Sequence, residues 1–262
     1  MYPTFKNTCV FISSSDNTAD IFELLKSNFE EKLSETGFRV FVGKNTRATP
    51  QSFELKLAPL SNWANELRIQ LSKLDDRYKF VILLLDDFYI KEIDLNFMLD
   101  LRKFPWGSTP DYVRLSRLHT SVSYKIINWF RSKKSDTANF NKLQSAEPYY
   151  SSLQVALWRR EYIIGRLTEP QTIWEFEHRV PLASSHFSSE VDYFKYIHLV
   201  EKGKWLYHAP KYLRLNRESV EFEERGFHSL GWIGDLLDRL KFAIFGFTFF
   251  RIRRLFNSRR LR

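Results

Sequence analysis

The sequence predicts an α/β protein whose central, mostly parallel sheet is flanked by helices. The continuous apolar run Val81–Leu85 has the composition of a strand that is buried on both faces. Two shorter apolar stretches precede it, and helical periodicity separates all three, so the order is β-α-β-α-β. Of the 262 residues, 44% are hydrophobic and 16% aromatic, which suffices for a buried core and excludes a disordered chain.

The first part of the chain alternates strands with amphipathic helices. Apolar residues recur at helical spacing between residues 19 and 36, and again between residues 62 and 74. Gly37 is placed to end the first of these helices. The predicted elements are strands at 8–15, 38–42 and 81–85, and helices at 19–36 and 62–74.

Later patterns are shorter. We predict a helix at 91–102, a strand at 112–115, an extended stretch leading into a helix at 159–167, an alternating extended stretch at 173–178, a helix near 189–199 and a strand pair within 198–215. A polar stretch at 130–146 predicts a loop. The chain then divides into one domain, residues 1–229, and a basic amphipathic helical tail, residues 230–262.

Two adjacent carboxylates, Asp86 and Asp87, directly follow the Val81–Leu85 run. Because unpaired charge is costly to bury, we expect both outside the buried strand, at the carboxyl edge where open α/β sheets bind ligands. Paired carboxylates suit a hard cation, Mg²⁺ or Mn²⁺, and such a cation suits a diphosphate. The alternative is a helix N-cap, a common place for aspartate.

The net charge of +9 is concentrated at the C-terminal end. Residues 239–262 contain eight basic residues and no acids, which leaves +1 for the rest of the chain. Since nucleic-acid binders usually carry a basic face on the folded body, we expect no nucleic-acid partner. Apolar and aromatic residues at helical spacing precede the arginines, as in interfacial helices on anionic bilayers. We expect residues 236–262 to bind an anionic membrane surface; docking on the body or on a second subunit is the alternative.

Cysteine content and the N-terminal residues indicate the compartment. The single Cys9 excludes an internal disulfide framework and a multi-cysteine metal site. The sequence shows neither a secretory signal nor a run of about 20 apolar residues that could cross a bilayer. We therefore expect a cytoplasmic protein, peripheral on the inner face of the cytoplasmic membrane.

Two longer motifs complete the pattern. Residues 152–162 read SLQVALWRREY, and residues 172–177 read TIWEFE. Together with Ser15-Asp16-Asn17, Trp63 and the LLLDDF strand end, they resemble a family of bacterial glycosyltransferases found among capsule, lipopolysaccharide and other surface-polysaccharide enzymes. The resemblance covers residues 8 to 215 and implies a GT-A-like fold.

The resemblance implies a nucleotide-sugar donor at the carboxyl edge. Asp86 and Asp87 occupy the place of the metal ligands, with the ribose as an alternative partner of Asp86. Asp16 and Asn17, together with Trp63, are placed with the donor nucleotide. For Asp16 a helix cap is the alternative, and for Trp63 a core position.

The same resemblance places the acceptor chemistry at the second motif. Inverting transferases need a carboxylate that takes the proton of the acceptor hydroxyl, and Glu175 and Glu177 lie where such folds place that base. In an extended stretch both side chains face the same way, so spacing does not choose between them. A salt bridge to Arg179 at a solvated edge is the alternative. Trp174 and Gln154 are expected to contact the acceptor or a sugar ring; for Trp174 a core or interface position is the alternative.

The sequence thus predicts a glycosyltransferase that moves a sugar from a nucleotide-sugar donor to a growing surface polysaccharide or lipid-linked glycan acceptor, with inversion at the anomeric carbon. Two alternatives stay open. In one, the enzyme works without a metal and the aspartates bind only hydroxyls. In the other, the protein is a non-catalytic, membrane-associated scaffold of a polysaccharide assembly complex.

Overall fold

The computed structural model describes residues 2–14, 18–44, 54–56, 62–105, 107–117, 139–144, 150–167, 171–179, 184–201, 203–215, 217–228 and 236. The chain divides into two compact units. The first comprises Met1–Arg117 with Ala138–Ile197, and the second Leu118–Thr137 with His198–Arg262. The first unit contains most of the predicted site residues. The predicted boundary between residues 229 and 230 lies outside the described ranges and stays a prediction.

An eight-stranded sheet forms the centre of the first unit. In spatial order it contains β3 (Glu54–Lys56), β2 (Arg39–Lys44), β1 (Thr8–Ser13), β4 (Phe80–Leu85), β8 (Ala156–Arg159), β6 (Tyr112–Arg114), β9 (His186–Ser189) and β7 (Phe140–Lys142). Four neighbouring pairs are parallel and three, all involving β8 or β7, are antiparallel. The predicted α/β class with a mostly parallel central sheet is confirmed.

The remaining elements surround or follow this sheet. The helices are α1 (Ala19–Ser34), α2 (Trp63–Ser72), α3 (Asn96–Lys103), α4 (Arg160–Arg166), α5 (Ile173–His178), α6 (Ala209–Leu213) and α7 (Val220–Glu223). Two short sheets pair β5 (Phe88–Ile93) with β10 (Phe194–His198), and β11 (Val200–Glu201) with β12 (Lys204–Trp205). The helices α6 and α7 and the β11–β12 pair belong to the second unit.

Strand directions define one functional edge of the large sheet. Six strands, namely β1, β2, β3, β4, β6 and β9, run the same way, whereas β7 and β8 run opposite. The carboxyl ends of the six strands therefore meet the amino ends of β7 and β8 at one edge, named here the carboxyl edge. Ligand sites of open α/β sheets lie at such edges.

Helices cover both faces of the sheet around β1 and β4. On one face, α2, α4 and α5 contribute Leu67, Ile163 and Phe176 to a core with Phe11 and Leu83. On the opposite face, Phe22, Phe29 and Leu33 of α1 line a cavity together with Ile12, Val40 and Val42 of the strands. The strand β4 is buried along almost its whole length, as its unbroken apolar composition predicts.

Four predicted elements differ from the structure, the first being the loop expected at 130–146, in which Phe140–Lys142 form β7. Residues 88–93 are a strand, so the helix expected at 91–102 begins only at Asn96. The helix expected near 189–199 is absent, since β9 and β10 occupy that range. The stretch 173–178, expected to be extended, is the helix α5. The strands β5 and β10 pair with each other although about 100 residues separate them in the sequence. Local periodicity does not reveal such a long-range contact.

Candidate functional site

The predicted pair of carboxylates lies at the carboxyl edge. Asp86 and Asp87 form the turn between β4 and β5. Leu85 pairs with Ser13 of the parallel strand β1, so Ser14 and Asp86 leave their strands side by side. Both acids lie beyond the end of the buried strand, as expected, but Asp86 is itself buried, with only 6% of its surface exposed.

Burial changes the ionisation of Asp86. Its pKa is raised to about 7, first because burial penalises the charged form and second because the Asp87 carboxylate lies nearby. The Thr18 and Ser14 hydroxyls act in the opposite direction, although Ser14 Oγ makes no hydrogen bond within the described ranges. Asp86 Oδ2 has no hydrogen-bond partner there either. A buried oxygen in that condition indicates a place for a water, an ion or a ligand.

The donor set fits a divalent cation that is shared with a ligand. Within the described part of the chain, no group of three or more His, Cys, Asp or Glu side chains is arranged to hold a metal. Mg²⁺, however, is usually bound by one or two carboxylates, with waters and phosphate oxygens completing its shell. Asp86 and Asp87 match that pattern, and Asp86 would lose its proton on binding.

Gln154 lies beside the same strand end. Leu83 of β4 pairs with Ala156 of the antiparallel strand β8, so Gln154, two residues earlier, lies next to the end of β4. Its side chain is half-buried, and its Oε1 atom has no hydrogen-bond partner among the described residues. Near the aspartates there is therefore a second polar atom, Gln154 Oε1, that has no partner within the described ranges.

Glu175 and Glu177 have different environments, so the expectation that they face the same way is wrong. In a helix, residues two apart lie on different sides. Glu175 forms a capping box with Thr172: its carboxylate accepts hydrogen bonds from the Thr172 N–H at 2.7 Å and from Oγ1 at 2.9 Å. These bonds lower the pKa of Glu175, which is exposed.

Glu177, by contrast, faces the sheet. It is half-buried, and its Oε1 accepts a hydrogen bond of 2.7 Å from the backbone N–H of Leu153. Leu153 directly precedes Gln154, so this bond holds Glu177 against the segment that enters β8 at the carboxyl edge. Of the two glutamates, Glu177 is the one whose carboxylate the fold brings to this edge.

The two predicted tryptophans lie on facing helices. Trp63 begins α2, is half-buried and contacts Phe176 of α5 edge-to-face with ring centroids 5.6 Å apart. Its indole Nε1 has no hydrogen-bond partner among the described residues. Trp174, on α5, is 53% exposed. An exposed indole offers a flat apolar surface, which suits the apolar face of a sugar ring.

Sequence reasoning missed a buried cation near this site. Arg114 on β6 is 1% exposed, and its Nε donates to Tyr112 Oη at 3.3 Å. Burial raises the pKa of Tyr196, on which the charges of Arg114 and Asp87 act in opposite directions. Arginine is rarely buried without a specific role, so an arginine inside a predicted strand was the signal available in the sequence.

Several predicted site residues lie outside the described ranges. These are Asp16 and Asn17 and all of residues 236–262 except Leu236. The side chain of Leu236 is 48% exposed. Among the described residues, no helix has the length and hydropathy needed to cross a membrane.

Comparisons with known proteins find similarity only to solved structures. No protein-family model matches the sequence, and no curated protein matches it. The crystal structure of A197 from STIV is 14% identical, covers 76% of this chain and 89% of that chain, and has a TM-score of 0.37. A mutant Drosophila β1,4-galactosyltransferase 7 in complex with manganese, UDP-Gal and xylobiose is 11% identical, with coverages of 82% and 83% and a TM-score of 0.39.

A third structure is the galactosyltransferase LgtC in complex with donor and acceptor sugar analogs. It is 12% identical, with coverages of 63% of this chain and 61% of that chain and a TM-score of 0.34. At these identities and TM-scores, the similarity assigns neither a family nor an activity to this chain.

Proposed function

We propose that this protein is a glycosyltransferase that moves a sugar from a nucleotide-sugar donor to a growing surface polysaccharide or lipid-linked glycan acceptor. The observation that supports it most is the carboxylate pair at the carboxyl edge, where buried Asp86 Oδ2 has no partner within the described ranges. A buried carboxyl group whose pKa is raised to about 7, and one of whose oxygens has no partner among the described residues, is destabilising as a purely structural feature. Such a cost is typical of a binding site.

The donor would lie along the carboxyl edge. In this proposal, Asp86 and Asp87 hold Mg²⁺ or Mn²⁺ with the donor diphosphate, while Asp16, Asn17 and Trp63 contact the nucleotide. When bound, the cation neutralises charge on the leaving nucleoside diphosphate. Buried Arg114 adds a positive charge on β6. Its hydrogen bond to Tyr112 shows that the two side chains lie on the same face of the sheet.

We assign the general base to Glu177 and not to Glu175. The N–H and the hydroxyl of Thr172 hold the Glu175 carboxylate at its own helix cap and lower its pKa, which makes it a weaker base. The backbone N–H of Leu153 donates to Glu177, which holds this carboxylate at the carboxyl edge near Gln154. Abstraction of the acceptor proton opposite the leaving group would give inversion. Trp174 would stack on the acceptor, with Gln154 as a polar contact.

The test begins with the donor. Purified protein is screened by thermal shift against UDP, GDP, CMP and dTDP, with and without Mn²⁺, and then by nucleotide release from the matching sugar donors and glycan acceptors. We expect one nucleotide to raise the melting temperature in a Mn²⁺-dependent manner, because ligands that bind only the native state stabilise it. A nucleotide shift that is the same in chelator would support the metal-free alternative.

Variants then assign the residues. Asp87→Asn should lower turnover about 100-fold or more, and Glu177→Gln should abolish turnover while leaving nucleotide binding intact. Asp75→Asn is the matched control: its carboxylate caps the N–H of Arg77 at the opposite end of β4. Full activity of Asp87→Asn would contradict the metal assignment. Absence of turnover with every donor, together with membrane binding, would favour the scaffold function.

Membrane association is a separate part of the proposal. Residues 236–262 would hold the enzyme on the anionic inner face of the cytoplasmic membrane, near a lipid-linked acceptor. Deletion of these residues should abolish co-sedimentation with phosphatidylglycerol vesicles but leave nucleotide binding unchanged. Retained co-sedimentation would contradict the assignment.

A further inference from the structure

The helix that carries Glu177 is too short to define its own position. The helix α5 has only six residues, Ile173–His178. Isolated helices of this length are unstable in water, and their stability in proteins comes from tertiary contacts. The orientation of the Glu177 carboxylate therefore depends on what holds α5 at each end.

The C-terminal end of α5 is held by Arg166. Its Nη2 donates to the carbonyl oxygen of Phe176 at 2.9 Å and to that of Arg179 at 2.7 Å. Its guanidinium carbon lies 4.2 Å from the centroid of the Phe176 ring. The last carbonyls of a helix have no partner within the helix, and basic side chains are the groups that satisfy them.

Arg166 is itself fixed to the central sheet. It is the last residue of α4, which continues directly from strand β8. Gln171 Nε2 donates to the Arg166 carbonyl at 2.8 Å and so closes the connection that leads to α5. The guanidinium also lies 5.9 Å from the ring of Trp158, in the middle of β8. Through these contacts, Arg166 fixes the position of α5 relative to β8.

These contacts form a closed circuit around the candidate base. The chain runs from β8 through α4 to Arg166, whose side chain binds the end of α5. On α5, Glu177 accepts a hydrogen bond from the N–H of Leu153, just before β8. We propose that Arg166 is a positioning residue that fixes the Glu177 carboxylate at the carboxyl edge by holding the C-terminal carbonyls of α5. This inference rests on the proposed function, in which Glu177 takes the acceptor proton.

Arginine suits this role better than lysine. One planar guanidinium reaches two carbonyl oxygens and stacks on Phe176, whereas an ammonium is a point charge without a flat face. Arg166→Lys therefore keeps the positive charge but loses the planar group that donates to the two carbonyls and lies over the Phe176 ring. It provides a second variant if Arg166→Gln fails to fold.

The first test needs no substrate. Amide hydrogen exchange is followed at Leu153, whose N–H is bonded to Glu177, and at the amides of α5. In Arg166→Gln and Arg166→Lys we expect exchange at Leu153 to accelerate about tenfold or more, the effect of weakening one hydrogen bond. Arg77→Gln is the control, because it removes an exposed arginine whose Nη2 donates to Tyr78 Oη before the start of β4, at the edge opposite the candidate site. Unchanged exchange at Leu153 in both Arg166 variants would overturn the proposal.

The second test uses the donor and acceptor found in the nucleotide screen. Arg166→Lys should lower kcat about tenfold or more, because a misplaced base slows proton transfer, while the KM for the donor stays unchanged. Normal kcat despite faster exchange at Leu153 would also overturn the positioning role. Full activity of Glu177→Gln alone would instead refute the base assigned under the proposed function, and the exchange data would still decide the link between Arg166 and Glu177.

Discussion

Asn28 and Ile90 exchange two hydrogen bonds. The Asn28 side chain, buried on α1, donates through Nδ2 to the Ile90 carbonyl at 2.9 Å and accepts from the Ile90 N–H at 2.8 Å through Oδ1. The Asn28 amide thus makes the two hydrogen bonds to β5 that the backbone of a neighbouring strand would otherwise make. Because Ile90 lies just beyond Asp86 and Asp87, the pair also fixes the segment that leaves the candidate site.

Replacing Asn28 by Ala should destabilise the protein by about 2–5 kcal/mol, since it leaves two buried backbone groups of β5 without partners. Denaturant unfolding followed by circular dichroism measures the change. Ser27→Ala, at an exposed neighbouring position of α1, is the control and should shift stability by less than about 0.5 kcal/mol. Equal effects of the two substitutions would show that the Asn28 hydrogen bonds contribute nothing.

Gly43, near the carboxyl end of β2, should not tolerate a side chain. A Cβ atom there would lie 2.2 Å from Gln70 Oε1 and 2.8 Å from Phe11 Cζ. Gly43→Ala should therefore cost about 1–3 kcal/mol through overpacking. Gly107→Ala is the matched control, because none of the described atoms lies within 4 Å of its Cβ. Thermal unfolding of the two variants should separate them; equal melting temperatures would contradict the close packing of α2 on β2.

Asp86 should make stability fall as pH rises. Its folded pKa of about 7 lies above the ordinary value of 3.8. Its stabilising contribution is therefore fully present below about pH 4 and is lost as pH rises through 7. Without divalent cations, Asp86→Asn should become more stable than the natural protein as pH increases from 4 to 8, by up to about 4 kcal/mol. Urea unfolding at several pH values measures the difference.

Asp76→Asn is the control with the opposite sign. A hydrogen bond from Arg160 lowers the pKa of Asp76, so its contribution is present at neutral pH and is lost as pH falls. That variant should lose stability relative to the natural protein near pH 7 and approach it in acid. A pH-independent difference for Asp86→Asn would mean that Asp86 is ionised throughout the range.

His186 should make the protein sensitive to acid. Its Nδ1 donates to the Tyr150 carbonyl at 2.9 Å and its Nε2 accepts from Tyr162 Oη at 2.8 Å, because a carbonyl can only accept. Burial lowers the His186 pKa from 6.5 to about 4, so stability is present above 6.5 and is lost as pH falls through 4. Unfolding free energies at pH 7, 5.5 and 4.5 should fall less steeply in His186→Gln, which should be less stable than the natural protein at pH 7.

The comparison is between the slopes of the two pH profiles, because half-buried His198 also has a lowered pKa and adds the same slope to both. Parallel profiles would show that the His186 ring gains its proton without loss of stability.

Local sequence patterns were sufficient to predict an element wherever the pattern is compatible with only one type of secondary structure. The Val81–Leu85 run predicted a strand buried on both faces, and β4 is that strand. Helical spacing after Ala19 and after Asn62 predicted α1 and α2, which differ from the predictions by about two residues. The position of Asp86 and Asp87 at the carboxyl edge followed from the order of elements alone.

Tertiary structure decided what local patterns left ambiguous. The run around Glu175 and Glu177 fits strand and helix periods equally well over six residues, and the Thr172 capping box together with Arg166 made it a helix. Residues 88–93 and 194–198 became strands only because they pair with each other. Periodicity depends only on residues that are close in sequence. The formation of α5, β5 and β10 depends on contacts with residues that are distant in sequence.

By itself, the sequence determined the α/β class, the central strand and the edge at which two aspartates meet, because those features follow from hydrophobic burial and strand order. Only the tertiary structure decided that Asp86 is buried and has a raised pKa, that Glu177 and not Glu175 is held against Leu153, and that Arg166 holds the end of α5. The physical reason is that solvation and hydrogen-bond partners are set by the packing of distant segments.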